Sequence, residues 1–211
     1  HGQSIARDVR GKDNRMSIKG AAEYDAIVIG SGQAAKPLAI DLAHIGWKVA
    51  LIEREHVAGT CINEGCTPSK TMIASARTAY QVRRSKEMGI QTAAWHMDME
   101  AVRERKREIV ESFRSSNREQ IEAAEGVDLW MGEARFAGAK LVEVQQDGES
   151  RTLYADQVFI NTGLRPRKPD IPGLDVVPSL NSTTIMELAV VPEHLLIVGG
   201  GVIGCEFACM M

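Results

Sequence analysis

The sequence predicts an α/β fold: a parallel sheet wound with helices, a β-meander, and the start of a second strand, turn and helix unit. Three observations predict it. The apolar runs YDAIVIG at 24–30 and HLLIVGG at 194–200 each lead into a glycine-rich turn and then a helical segment. WKVALIE at 47–53 completes a strand, helix, strand unit with the first of them. Three segments between 127 and 163 read as short strands separated by turn signals, with Asp147-Gly148 the clearest hairpin cue. Continuous apolar runs closed by glycine suit strands covered on both faces.

Composition bounds what such a fold does. A chain of 211 residues, 44% hydrophobic and 25% charged, is long enough for one domain and part of another. A net charge of -3 with both signs interspersed argues against a nucleic-acid surface. No apolar run approaches the roughly 20 residues of a membrane span. Four cysteines are too few for a disulfide-stapled secreted scaffold, so a soluble protein of the reducing cytoplasm is expected. Residues 1–20 are polar and read as a leader or disordered segment, with Met16 a candidate natural start.

Each element has a local reason. After the first strand comes GSGQAA at 30–35, where Gly30 and Gly32 permit a tight turn and close backbone approach. The following AKPLAIDLAHIG is helical in its apolar spacing. Pro37 is tolerated there only within the first helical turn, where a missing N–H costs nothing. Glu53 ends the second strand, 23 positions after Gly30. That arrangement fits a dinucleotide site, with a pyrophosphate at the helix N-terminus and the acid on a ribose hydroxyl. Residues 98–127 carry Met99, Val102, Ile109, Val110, Phe113 and Ile121 among many charges, which predicts a long, largely solvated helix. Its RERKRE run at 103–108 is a wet helical face.

GTCINEGCTPSK at 59–70 sets Cys61 and Cys66 five positions apart. In a regular helix that spacing gives about 7.5 Å of rise, beyond the roughly 7 Å a disulfide spans between α-carbons. Gly59 and Gly65 instead allow an irregular turn, with Pro68 in the first turn of a helix running through SKTMIASARTAY. A redox role explains the pair better than a structural bridge, because a thiol near a helix N-terminus reacts more readily as thiolate. A structural zinc site lacks its second ligand pair, so no metal ligand is assigned. His44, His56, His96 and His194 are scattered and read as non-catalytic.

Taken together these motifs resemble the FAD-dependent pyridine nucleotide-disulfide oxidoreductases, class I, from residue 24 to 211, with a lean toward mercuric reductase-like members. The resemblance rests on GSGQAA, Glu53, GTCINEGCTPSK, TGLRPRKPDIPG at 162–173 and GGGVIGCEFA at 199–208. It implies a Rossmann-like FAD-binding domain over 21–175 and, over 190–211, the beginning of a Rossmann-like NAD(P)-binding domain. In that reading Gly30, Gly32, Ala34, Ala35, Glu53, Gly59, Thr60, Lys70, Thr162 and Gly163 contact FAD, while Gly199, Gly201 and Gly204 meet NADPH or NADH. Cys61 is the interchange thiol and Cys66 the thiol against the flavin. Lys70 stands by the flavin and pairs with Glu206, where a fixed positive charge favours reduced flavin and thiolate.

The implied activity passes a hydride from NAD(P)H to FAD and electrons onward to the Cys61–Cys66 disulfide. From there they reach Hg(II) or a disulfide such as lipoamide or glutathione, in a homodimeric parent enzyme. No nucleic-acid or membrane partner is implied. The chain reads as the N-terminal part of that enzyme, with an inactive truncated fragment as the alternative. Cys205 and Cys209 are expected to serve packing.

Overall fold

The computed structural model describes residues 20–211. The leader expected at the N-terminus, with Met16, therefore lies almost wholly outside the described residues. The elements run β1 (Ala22–Ile29), α1 (Ala35–His44), β2 (Val49–Glu53), α2 (Gly59–Asn63), α3 (Cys66–Arg84), α4 (Met99–Glu122), β3 (Val127–Met131), β4 (Glu133–Gly138), β5 (Leu141–Gln146), β6 (Glu149–Ile160) and α5 (Val202–Met210). Short 3₁₀ turns at Ser85–Met88 and Thr184–Glu187 complete them.

One sheet holds all six strands in the order β3-β2-β1-β6-β5-β4. β3, β2, β1 and β6 are mutually parallel, and β6, β5 and β4 are antiparallel. The expected α/β fold, with its parallel sheet and meander, is present. Alternation along β2 shows how the layers form. Val49 and Leu51 face Ala35 and Ala39 of α1, Ile121 of α4 and Val127, whereas Ala50 and Ile52 face Val142, Val144, Leu153 and Ala155 of the meander. Both faces of the parallel strands are thus covered, which is why their sequences are apolar throughout. Ile27, Leu51, Ile52 and Leu153 are fully buried, each contributing about 1.5–3 kcal/mol by removal from water.

Local chemistry sets the boundaries. Pro37 is the third residue of α1, inside the first turn as expected. Asp98 caps α4 by accepting the Ala101 N–H at 3.0 Å. Asp147 and Gly148 both take positive φ, 50° and 84°, in the two-residue turn joining β5 to β6, as a primed hairpin turn requires. The segment 127–138, expected as one strand, is two. Gly132 divides it, donating to the Glu53 carbonyl at 2.7 Å. A Cβ on Gly132 would stand 2.6 Å from the Gln145 carbonyl oxygen, so only glycine lets the chain pass from one edge of the sheet to the other.

The run 194–200, expected as a second buried strand, pairs with no strand among the described residues, and Leu196 and Val198 are exposed. A strand needs a neighbour to satisfy its backbone, and no described strand lies beside it. The helix that follows does form as α5. It packs through Phe207 and Met210 onto Met72, Met99, Ile185 and Met186, a third cluster apart from the sheet.

Candidate functional site

At the carboxyl ends of β1, β2 and β6 the chain leaves the sheet in different directions and opens a cleft of about 780 Å³. Open α/β sheets bind ligands at such a point. Three loops frame it. Gly30 has φ +93°, and a Cβ there would lie 2.3 Å from the Asn161 carbonyl oxygen. Gly59 has φ +68°, and its Cβ would lie 2.6 Å from the α-carbon of Gly32. The turn after β1, the loop before α2 and the exit of β6 therefore touch backbone to backbone, leaving a glycine-lined cradle. α1 begins at this cradle with no side-chain cap and no acid in its first turn, so its positive end is open to an anion.

Glu53 stands across the turn. Its Oε2 accepts the Ser31 N–H at 3.1 Å and the Ser31 hydroxyl at 2.6 Å, and its Oε1 accepts the Glu55 N–H at 3.0 Å. A carboxylate offers about four acceptor sites, so these three bonds orient Glu53 and leave it room for a hydroxyl. Ser31 is fully buried and also accepts the Ala58 N–H at 3.1 Å, joining the acid to the loop before α2.

The structure brings Gly30, Gly32, Ala34, Glu53, Gly59 and Thr60 into this one cleft, with Thr162, Gly163 and Cys61. Ala35 is instead buried under α1, where its small side chain lets the helix approach the sheet. Gly199, Gly201 and Gly204 lie elsewhere, before and within α5.

The cysteines sit in two helices, where an irregular turn was expected around them. Cys61 lies in α2 and Cys66 opens α3. Between them the chain folds straight back, so that a Cβ on Gly65 would lie 3.2 Å from the α-carbon of Cys61. Both are free thiols, Cys61 partly buried and Cys66 exposed. A hydrogen bond shared with Cys66, with burial behind it, pushes the Cys61 thiol above its ordinary value. Pro68 is buried in the first turn of α3, as expected. One turn on, the Lys70 ammonium pairs with the Glu206 carboxylate of α5, 136 positions away.

Several functional residues were silent in the sequence. Ser31 and Asn161 flank the motif glycines, and Asn63 stands between the cysteines. Arg114, which reaches Asn63 from α4, carries no local signal at all. Cys205 and Cys209 are both exposed, not packed. The reason is that α5 buries the face carrying Phe207 and Met210 and turns these cysteines away from it.

The family model described as "Pyridine nucleotide-disulphide oxidoreductase" matches residues 24–211. The chain belongs to this family. A mercuric reductase of Bacillus cereus is 36% identical over 194 residues, covering 92% of this chain and 30% of that protein. The probable pyridine nucleotide-disulfide oxidoreductase RclA of Escherichia coli is 36% identical over 191 residues, covering 89% and 40%. A dihydrolipoyl dehydrogenase of Bacillus subtilis is 33% identical over 202 residues, covering 90% and 42%. Among solved structures, the Cu(II) complex of the HOCl-induced flavoprotein disulfide reductase RclA from Escherichia coli superposes with a TM-score of 0.77 at 36% identity, covering 89% of this chain and 40% of that one. The chain thus spans about 40% or less of the length of most of these relatives. Members of the family use FAD and a nicotinamide cofactor. Among the described residues no helix is long and apolar enough to cross a membrane.

Proposed function

We propose that this chain is the flavin-binding and thiol-bearing part of an NAD(P)H-dependent reductase of mercuric reductase type, acting on Hg(II) or, as a second reading, on a disulfide such as lipoamide. The observation that carries it is the continuity of the cleft: the glycine cradle at Gly30, Gly32 and Gly59 runs into the helix that holds Cys61, with Cys66 against it. The residues fit FAD, since the cradle admits a pyrophosphate where any Cβ would intrude and Glu53 is oriented for a ribose hydroxyl. A bound FAD would supply two-electron transfer between a nicotinamide and a disulfide.

The chain's own residues have separable tasks. The open end of α1 attracts the phosphates, and Ser31 holds Glu53 in place. Lys70, fixed by Glu206, supplies a positive charge one turn along α3 from Cys66. Cys61, in the cleft, takes the acceptor: its sulfur ligates a soft metal ion or attacks one sulfur of a disulfide, and the pair returns to the Cys61–Cys66 bond as the acceptor is reduced. In a full-length protein the remaining segments would supply the rest of the nicotinamide site, beginning at Gly199, Gly201 and Gly204, and a homodimer interface.

Turnover by the natural full-length protein separates the readings. NADPH oxidation driven by Hg(II) and lost in Cys61→Ser supports the first. NADH formation from dihydrolipoamide supports the second. Failure with every thiol, disulfide and metal acceptor, or full activity in Cys61→Ser, contradicts both.

A further inference from the structure

We infer that Arg114, on the face of α4 turned to the cleft, is a positioning residue that acts through Asn63 to set the loop 57–59, and through that loop both the dinucleotide cradle and the helix bearing Cys61. The inference rests on the functional reading above for what the cradle holds, but not for its effect on Cys61.

The Asn63 carboxamide uses both of its donors and one acceptor site. Its nitrogen donates to the carbonyls of Val57 and Gly59, each at 2.9 Å. Its oxygen accepts from Nε of Arg114 at 2.9 Å. Carbonyls only accept and a guanidinium only donates, so the amide has one possible orientation. Arg114 is held in turn by Glu111, which accepts from its NH1 at 2.7 Å, and its side chain is only 26% exposed.

What Asn63 ties down is an unfavourable stretch of backbone. Ala58 and Gly59 take positive φ in succession, 76° and 68°, and such a conformation at alanine persists only when its surroundings enforce it. On the near side the enforcement is the Ala58 N–H donated to Ser31, itself bound to Glu53. On the far side it is Asn63 and Arg114. The loop they hold is the one whose Gly59 backbone presses on Gly32 and begins α2. One hydrogen-bonded chain therefore runs from Glu53 through Ser31, the loop and Asn63 to Arg114 and Glu111. It touches neither thiol, but the placement of both walls of the cleft depends on it.

Two readouts on the purified chain test this, one of them independent of flavin. The first is the rate of Cys61 alkylation by iodoacetamide, read by peptide mass in flavin-free protein. The second is FAD affinity, read by quenching of flavin fluorescence. Arg114→Gln is expected to speed alkylation and weaken FAD binding, each by about tenfold, the size of one lost charge-assisted hydrogen bond. Arg114→Lys keeps a cationic donor in reach of the Asn63 oxygen and is expected to recover much of both. Arg118→Gln removes an equal charge from the same helix, where Arg118 pairs, among the described residues, with Glu122, and is expected to change neither. Wild-type alkylation and affinity in Arg114→Gln would overturn the inference, as would an equal effect from Arg118→Gln or no recovery in Arg114→Lys. If the wild-type chain takes up no FAD, the functional reading fails while the alkylation arm still decides the role of Arg114.

Discussion

Two turns in this molecule share one sequence grammar and differ in how they are built. Both follow an apolar run, both are spaced G-x-G-x-x-G/A, and both open a helix. At the first, added Cβ atoms would strike neighbouring backbone at 2.3 Å for Gly30 and 2.6 Å for Gly59, so the turn is locked among two other loops. At the second, Cβ atoms on Gly199, Gly200 and Gly201 would meet nothing within 4 Å, and one on Gly204 would strike only its own segment, the Gly199 carbonyl oxygen at 2.7 Å. The difference is one of sheet context. A glycine motif is a place where a backbone is able to approach closely, and it becomes a site only where strands on either side bring other loops to it.

The largest test of that contrast is a matched pair of substitutions. Gly30→Ala forces a side chain into a left-handed residue and onto the Asn161 carbonyl, and is expected to cost about 3 kcal/mol or more of folding stability and abolish FAD uptake. Gly201→Ala, at a φ of -73°, is expected to stay within about 1 kcal/mol, the span of an N-cap exchange. Equal losses in denaturant titrations would erase the contrast.

The second region is fastened to the first by polar ties, and these come next in size. Lys106, with 4% of its side chain exposed, pairs with Glu187 and donates to the Met186 carbonyl at 3.1 Å. Arg107 reaches the same carboxylate at 2.6 Å. Lys106→Ala leaves that buried carbonyl unsatisfied and is expected to cost about 2 kcal/mol. Burial pushes the Glu187 carboxyl up, but Lys106 and Arg107 outweigh it and hold it below the usual carboxylate range. Its folded value is thus depressed, so its contribution is complete above the unfolded value of about 4.3 and fades as pH falls below it. Glu187→Gln is expected to flatten the stability profile there, and an unchanged acid limb would show that the tie carries no weight.

The Lys70–Glu206 pair sharpens the comparison from the other side. With 60% and 36% of their side chains exposed, the two residues contribute at most about 1 kcal/mol to stability. Lys70→Met is therefore expected to unfold like the wild type in denaturant titrations, while the same change in the natural full-length protein is expected to cost most of the proposed turnover. Smallest is Tyr24→Phe. The Tyr24 hydroxyl donates to Asp128 at 2.8 Å and accepts from Trp130 at 3.0 Å, and burial together with Asp128 pushes it up to about 12. Its loss is expected to cost about 1 kcal/mol and to leave FAD uptake unchanged.

Much of this was legible in order along the chain. The β1 and β2 runs are continuous because both faces are covered, α4 shows its apolar stripe, and Asp147-Gly148 declares its turn. The break between Cys61 and Cys66 was legible in Gly65 and the helix with Pro68 in its first turn, but the short helix α2 carrying Cys61 was not. What was hidden depends on contacts distant in sequence. Gly132 looks like any residue in a strand until Gln145 and Glu53 close on it. Arg114 looks like another charge on a wet helix until Asn63 stands opposite. The run 194–200 reads as a strand, and its composition is right, but composition provides no neighbour to pair with.

If the locked turn and the thiol pair form one flavin site, the visible spectrum of the purified chain with FAD reports both at once. The account predicts a bound, fluorescence-quenched flavin that gains a long-wavelength absorption band when Cys61 and Cys66 are reduced without oxygen, and loses that band in Cys66→Ser. A folded chain that leaves FAD free in solution, or a bound flavin whose spectrum ignores the state of the two cysteines, would contradict it.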